Sequence, residues 1–106
     1  MTEQSVIKKA FYICTEQMGA LSKILISGMG SKDMAFYNFY EAFHVLYMLT
    51  INNTKLRDID YGDNTNLKLV DKIQEWFDTA RNHSDSESGI NLFKEFNIAL
   101  GRVGLL

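Results

Sequence analysis

The sequence lacks proline altogether and contains a single cysteine, Cys14. Because proline breaks helices, its absence removes the commonest obstacle to long helical segments. One cysteine cannot form an internal disulfide, so we expect a protein of the reducing cytoplasm. No apolar run reaches the roughly 18 residues that a membrane span requires. We therefore expect no membrane partner.

The chain also carries little net charge. The 106 residues carry a formal charge of −2 at pH 7, which argues against a grip on the phosphate backbone of duplex nucleic acid. Hydrophobic residues make up 46% of the chain and charged residues 23%, a composition typical of a globular protein. This length suits one hydrophobic core. We therefore expect residues 1–106 to form a single helical domain.

Apolar residues recur at helical spacing through the chain, which predicts an all-α fold. In the first segment they step alternately by four and three residues, at Ile7, Phe11, Cys14, Met18, Leu21 and Leu25. This line predicts a helix over about residues 3–28, with Thr2 or Ser5 as its N-cap and Gly28 at its end.

A second helix is predicted to begin after Ser31, a typical N-cap residue, and to run over about residues 32–51. The short connection forces the two helices into an antiparallel hairpin over residues 3–51. The same criteria divide the rest into a loop over residues 52–66, which leaves room for a short helix, and two shorter helices over about 66–82 and about 88–103. The predicted architecture is thus a four-helix domain built on a long N-terminal hairpin.

The second helix is unusually apolar. Between Met34 and Leu49 its only strongly polar residues are Asn38, Glu41 and His44. A helix that is apolar around most of its circumference needs cover on several sides, either from its own domain or from another subunit. We favour a homo-oligomer over the intramolecular alternative. The predicted interface residues are Phe36, Phe39, Tyr40, Phe43 and Tyr47.

Candidate catalytic groups are few, and we predict neither enzymatic activity nor a cofactor. Cys14 falls in the apolar line of the first helix, where a cysteine is typically a buried hydrophobe. Glu41 and His44 have the Glu-x-x-His spacing of di-iron bundles, but the sequence has no second such pair. We therefore predict no metal site, and a symmetric metal site shared between two copies is a third alternative.

A second stripe on the first helix suggests a ligand site. Lys8, Tyr12 and Lys23 recur on one side of it, and they place an aromatic ring between two ammonium groups. A phenol can stack on a nucleobase, and lysines pair with phosphates. Ser31, Lys32 and the amides that open the second helix add a candidate anion site. The alternative is that the lysines are ordinary solvated residues and that Tyr12 covers the edge of the core.

The hairpin resembles that of phage-encoded anti-CBASS sponges and the related anti-Thoeris sponges. The resemblance is carried by Ser31-Lys32-Asp33 at the start of the second helix and by the Glu41-Ala42 pair near its middle. It covers about half of the chain. The second helix is more aromatic here than in that family, and its spacing from the serine to the alanine is shorter.

The resemblance implies a small helical homo-oligomer that binds cyclic oligonucleotide signals between protomers. Such a protein would block a host defence response by sequestration, without hydrolysing the signal. By the same implication Tyr12 stacks on a base, Lys32 or Lys23 holds a phosphate, and Ser31 adds a hydrogen bond. The competing hypothesis is a protein inhibitor or adaptor that uses the aromatic face of the second helix or the charged face of the third.

Overall fold

Five helices and one two-stranded sheet make up the part of the chain that the structure describes, residues 2–62, 64–80 and 85–106 of a computed structural model. The elements in chain order are α1 (Glu3–Ser27), α2 (Lys32–Thr50), α3 (Thr54–Arg57), β1 (Asp60–Tyr61), β2 (Asn64–Lys68), α4 (Leu69–Thr79) and α5 (Ser86–Arg102). Across those residues, no helix has the length and apolar character needed to cross a membrane.

The predicted hairpin is confirmed in its packing and its caps. The Thr2 side chain accepts a hydrogen bond from the Ser5 amide at 3.1 Å, and the Ser31 hydroxyl accepts one from the Met34 amide at 3.2 Å. These caps satisfy amides that the first turn of a helix leaves unpaired. Gly28 ends α1 in the left-handed conformation, with φ of 70°. The short turn then returns α2 along α1.

The four-helix count is wrong, because residues 52–66 hold more than a loop. That stretch contains α3, β1 and most of β2, and the two strands pair antiparallel with Asp60 opposite Lys68. Gly62 makes the turn between the strands with φ of 57°. Strands of two and five residues are too short to show the alternation that reveals a strand in a sequence.

The two C-terminal helices lie where the periodicity places them, with shifted ends. α4 begins at Leu69 instead of near residue 66, because β2 occupies the preceding residues. The predicted end of this helix at Asn82 lies outside the described residues. α5 begins two residues before the predicted start, where the Asp85 side chain accepts a hydrogen bond from the Ser88 amide at 3.3 Å.

An aromatic cluster joins α2 to the C-terminal helices. The Phe43 ring lies with its centroid 5.2 Å from that of Phe77, 5.4 Å from Phe93 and 5.9 Å from Trp76. Most of the rings meet edge to face or tilted, the arrangements that aromatic quadrupoles favour. α4 and α5 therefore supply the cover that this side of α2 needs.

This packing corrects the predicted interface. Phe36, Phe39, Phe43 and Tyr47 are at most 1% exposed within one chain, so their side chains cannot contact a second subunit. The prediction underestimated how much aromatic surface α4 and α5 contribute. Tyr40 is half-buried, and its hydroxyl donates a hydrogen bond to the Phe77 carbonyl oxygen at 3.1 Å. It also belongs mainly to the internal packing.

Candidate functional site

The outer side of the helical hairpin carries a long groove between α1 and α2. Its volume is about 540 Å³, within the range of ligand and peptide sites in proteins. All ten residues that line it belong to these two helices: Val6, Lys9, Ala10, Ile13, Gln17, Asn38, Glu41, Ala42, Val45 and Leu49. We call this feature the outer groove.

The groove follows from a second apolar stripe on α1. Val6, Ala10 and Ile13 each precede by one residue a member of the line that faces the core, and they repeat its steps of four and three. Adjacent helical positions are about 100° apart, so the second stripe lies beside the line that faces the core: Ala10 still packs against the core, whereas Ile13 is exposed. α1 is thus apolar over about half of its circumference, and only part of that is covered.

α2 contributes the opposite wall. Ala42, Val45 and Leu49 face the groove, while the buried aromatic residues of the same helix face α4 and α5. Glu41 and Asn38 stand among them as polar groups, and Lys9 and Gln17 do so on α1. Apolar walls with a few polar groups bind an apolar surface and fix its orientation.

Exposed apolar residues concentrate on the hairpin. Nine of the ten large hydrophobic side chains that are exposed among the described residues lie between residues 12 and 49, and the tenth is Ile98 on α5. Those nearest the groove are Ile13, Val45 and Leu49. Isolated exposed apolar residues are common on protein surfaces, whereas a contiguous patch indicates a contact surface. The hairpin is therefore the principal candidate surface of this chain.

The residues predicted to bind a ligand do not form one site within a chain. Lys8, Tyr12 and Lys23 are all exposed on α1, but Tyr12 and Lys23 lie about 16 Å apart along its axis. Ser31 and Lys32 are at the turn, where the serine hydroxyl already caps α2. None of these five residues lines the outer groove. Their binding role stays a prediction.

Glu41 and His44 are placed differently from each other. The His44 ring stacks on Tyr40, with centroids 6.3 Å apart, and meets Phe77 edge to face at 5.0 Å. Glu41 is exposed and lines the outer groove. Within residues 2–62, 64–80 and 85–106, no three His, Cys, Asp or Glu side chains gather closely enough to hold a metal ion.

Cys14 is fully buried in the core between α1 and its neighbours, as the sequence indicated. Burial raises the pKa of its thiol, because the apolar surroundings disfavour the charged thiolate. The thiolate is the reactive species. We therefore expect a disulfide reagent such as Ellman's reagent to leave folded protein unmodified at pH 8 and to react quickly once urea unfolds the chain.

The same shift gives the direction of a pH effect. An unfolded cysteine ionises near pH 8.5, so raising the pH above that value stabilises the unfolded chain relative to the folded one. Stability should fall with pH more steeply for the natural chain than for a Cys14→Ala variant. Rapid labelling of the folded protein would contradict the burial of this thiol.

Sequence reasoning missed the groove although its signal was present. The line through Ile7 and Cys14 predicts the side of α1 that faces the core, and Val6, Ala10 and Ile13 form a separate stripe beside it. One line of apolar residues is enough to account for a helix that is buried on one side. Two adjacent lines on one helix indicate either a helix covered on two sides or a contact surface.

In comparisons with known proteins, no protein-family model, no curated protein and no solved structure matches the chain.

Proposed function

We propose that this protein acts by binding another protein, which docks on the outer groove of the hairpin. The observation that carries the proposal is that the exposed apolar residues concentrate on the hairpin, where Ile13, Val45 and Leu49 line a groove between its two long helices. The sequence hypothesis of an inhibitor or adaptor is retained, with the contact moved from the aromatic face of α2 to the groove. A cytoplasmic setting remains part of this proposal.

The shape of the groove supports a protein partner. Its walls are residues 6–17 of α1 and 38–49 of α2, which extend for about 16 Å along each helix. Grooves between helices accept apolar side chains that recur along another helix. A groove with mainly apolar walls between two helices fits a polypeptide surface better than a compact polar metabolite.

Photo-crosslinking tests the proposal. The photoreactive residue p-benzoyl-phenylalanine in place of Val45, which is half exposed in the groove, should yield a covalent protein adduct in cells that produce the full chain. The matched control is the same residue in place of Lys94, which is exposed on α5. An adduct from position 45 alone is expected. Equal adducts from both positions, or none from position 45, would contradict a docking role for the groove.

A second candidate function is the sequestration of cyclic oligonucleotides by a homo-oligomer, the activity that the sponge resemblance implies. The supporting observation is Tyr12, whose side chain is 66% exposed on α1 one helical turn after Lys8. An exposed phenol ring can stack on a base, and the ammonium group beside it can neutralise the phosphate of the same nucleotide. Because the five candidate residues are spread along the hairpin, this function requires a second copy to complete the site.

Isothermal titration calorimetry with cyclic di- and trinucleotides tests this candidate. We expect a Tyr12→Ala variant to lose about 1–3 kcal/mol of binding free energy, the usual contribution of one stacked base. Tyr37→Ala is the matched control, since Tyr37 is similarly exposed but lies on α2. No heat with any of these nucleotides, or equal losses in both variants, would reject the candidate.

A further inference from the structure

We infer that the partner in the outer groove is a second copy of this chain, so that two hairpins pack face to face as a four-helix bundle. The inference rests on the proposed docking function and names its partner. Four features of the surface lead to it: the spacing of its residues, its width, its area and its charge.

The spacing of the exposed residues is that of a bundle seam. On α2 the outward line runs through Met34, Asn38, Glu41, Val45 and Met48, in steps of four and three residues. On α1 the line runs through Val6, Ala10, Ile13 and Gln17 with the same steps. Alternating steps of four and three keep one side of each helix facing a neighbour in a four-helix bundle. Each helix of the hairpin therefore presents a seam beyond the one it uses for its own core.

The width of the apolar surface favours two helices over one. Met34 and Met48 belong to the outward line of α2 but do not line the groove, so a single helix that filled only the groove would leave both in water. Both methionines are more than half exposed. A second hairpin is as wide as the first, so it covers the groove and the rest of the outward line of α2. Its own groove residues require the same cover, so a symmetric pairing satisfies both copies at once.

The area is sufficient for a stable dimer. Two helices side by side are about 20 Å across, and the shorter is about 28 Å long, which gives a footprint of roughly 560 Å² per chain. The two chains together would bury about 1,100 Å² or more, above the approximate 1,000 Å² that specific interfaces need.

The charge of the groove is compatible with a copy of itself. Lys9 and Glu41 are the charged residues among those that line it, so their formal charges cancel. A strongly acidic or basic surface would repel a second copy and select an oppositely charged partner. A neutral, largely apolar face with one group of each sign has no such preference.

Sedimentation equilibrium of the full chain tests the inference. The natural protein should sediment at twice its 12.2 kDa mass. A Val45→Glu variant places an uncompensated carboxylate from each copy in the interface, which should raise the dimer dissociation constant roughly 100-fold. Ile98→Glu is the matched control, because Ile98 is 56% exposed but lies on α5, and it should remain dimeric. Circular dichroism melts of each variant at low concentration check that the chain still folds.

The outcomes separate this inference from the function on which it rests. A natural chain that is monomeric at every concentration, or a Val45→Glu variant that dimerises as well as the Ile98→Glu control, overturns the second copy as the partner. The docking function is judged separately by the photo-crosslink from position 45. An adduct with a second copy would support both. An adduct with a different protein would overturn the dimer, and a monomeric chain that gives no adduct would reject both.

Discussion

A Gly89→Ala substitution in α5 is expected to lower the free energy of unfolding by about 2 kcal/mol, although alanine normally stabilises a helix. A β-carbon at position 89 would lie 2.3 Å from Cζ2 of Trp76, far inside van der Waals contact. Trp76 is 4% exposed and is enclosed by the rings of Phe36, Phe39 and Phe43, so it has little room to move. Overpacking of about 3 kcal/mol therefore exceeds the ~1 kcal/mol that the helix gains.

The matched control for this substitution is Gly19→Ala in α1. Gly19 is also in a helix, but a β-carbon there meets no atom within 4 Å. This variant should be stabilised by about 0.5–1 kcal/mol. Urea unfolding followed by circular dichroism measures both changes. If the two alanines shift stability in the same direction, the close approach of α5 to Trp76 is wrong.

A Phe43→Ala substitution is expected to have the larger effect, a loss of about 4 kcal/mol in the stability of a single chain. Phe43 has no exposed surface and touches aromatic rings of α2, α4 and α5, among them Phe39, Phe77 and Phe96. Removing it leaves a cavity that the surrounding rings cannot readily fill.

Tyr37→Ala serves as the control for the second prediction. Tyr37 is an aromatic residue of the same helix but is 56% exposed, so its removal should change chain stability by no more than about 0.5 kcal/mol. The measurement is guanidinium unfolding at low protein concentration. A Phe43→Ala variant that unfolds like the natural chain would contradict the internal placement of this ring.

Periodicity and caps were enough to predict the hairpin. Thr2, Ser31 and Gly28 are local signals, and each acts on backbone groups within a few residues of itself. The β1–β2 hairpin could not be found in the same way. Its strands are short and polar. They are joined by the turn at Gly62, and an exposed ion pair of 2.6 Å between Lys68 and Asp60 lies across them.

The side of α2 that faces the core could not be predicted from the helix alone. Composition shows that its surface is apolar on most sides, but which side is covered depends on long-range packing of Trp76 and Phe93 from elements far along the chain. Sequence reasoning assigned the large aromatic residues to an interface. The structure buries them and leaves the smaller Val45 and the flexible Met48 exposed.

Hydroxyl-radical footprinting across a range of protein concentrations tests most directly whether α2 has one internal aromatic side and one external docking side. We expect Phe39 and Phe43 to stay unlabelled at every concentration, whereas labelling of Ile13 and Val45 should fall as the concentration rises and copies associate. The opposite pattern, in which dilution exposes the phenylalanines while Ile13 and Val45 are labelled equally throughout, would contradict both the internal cluster and the groove.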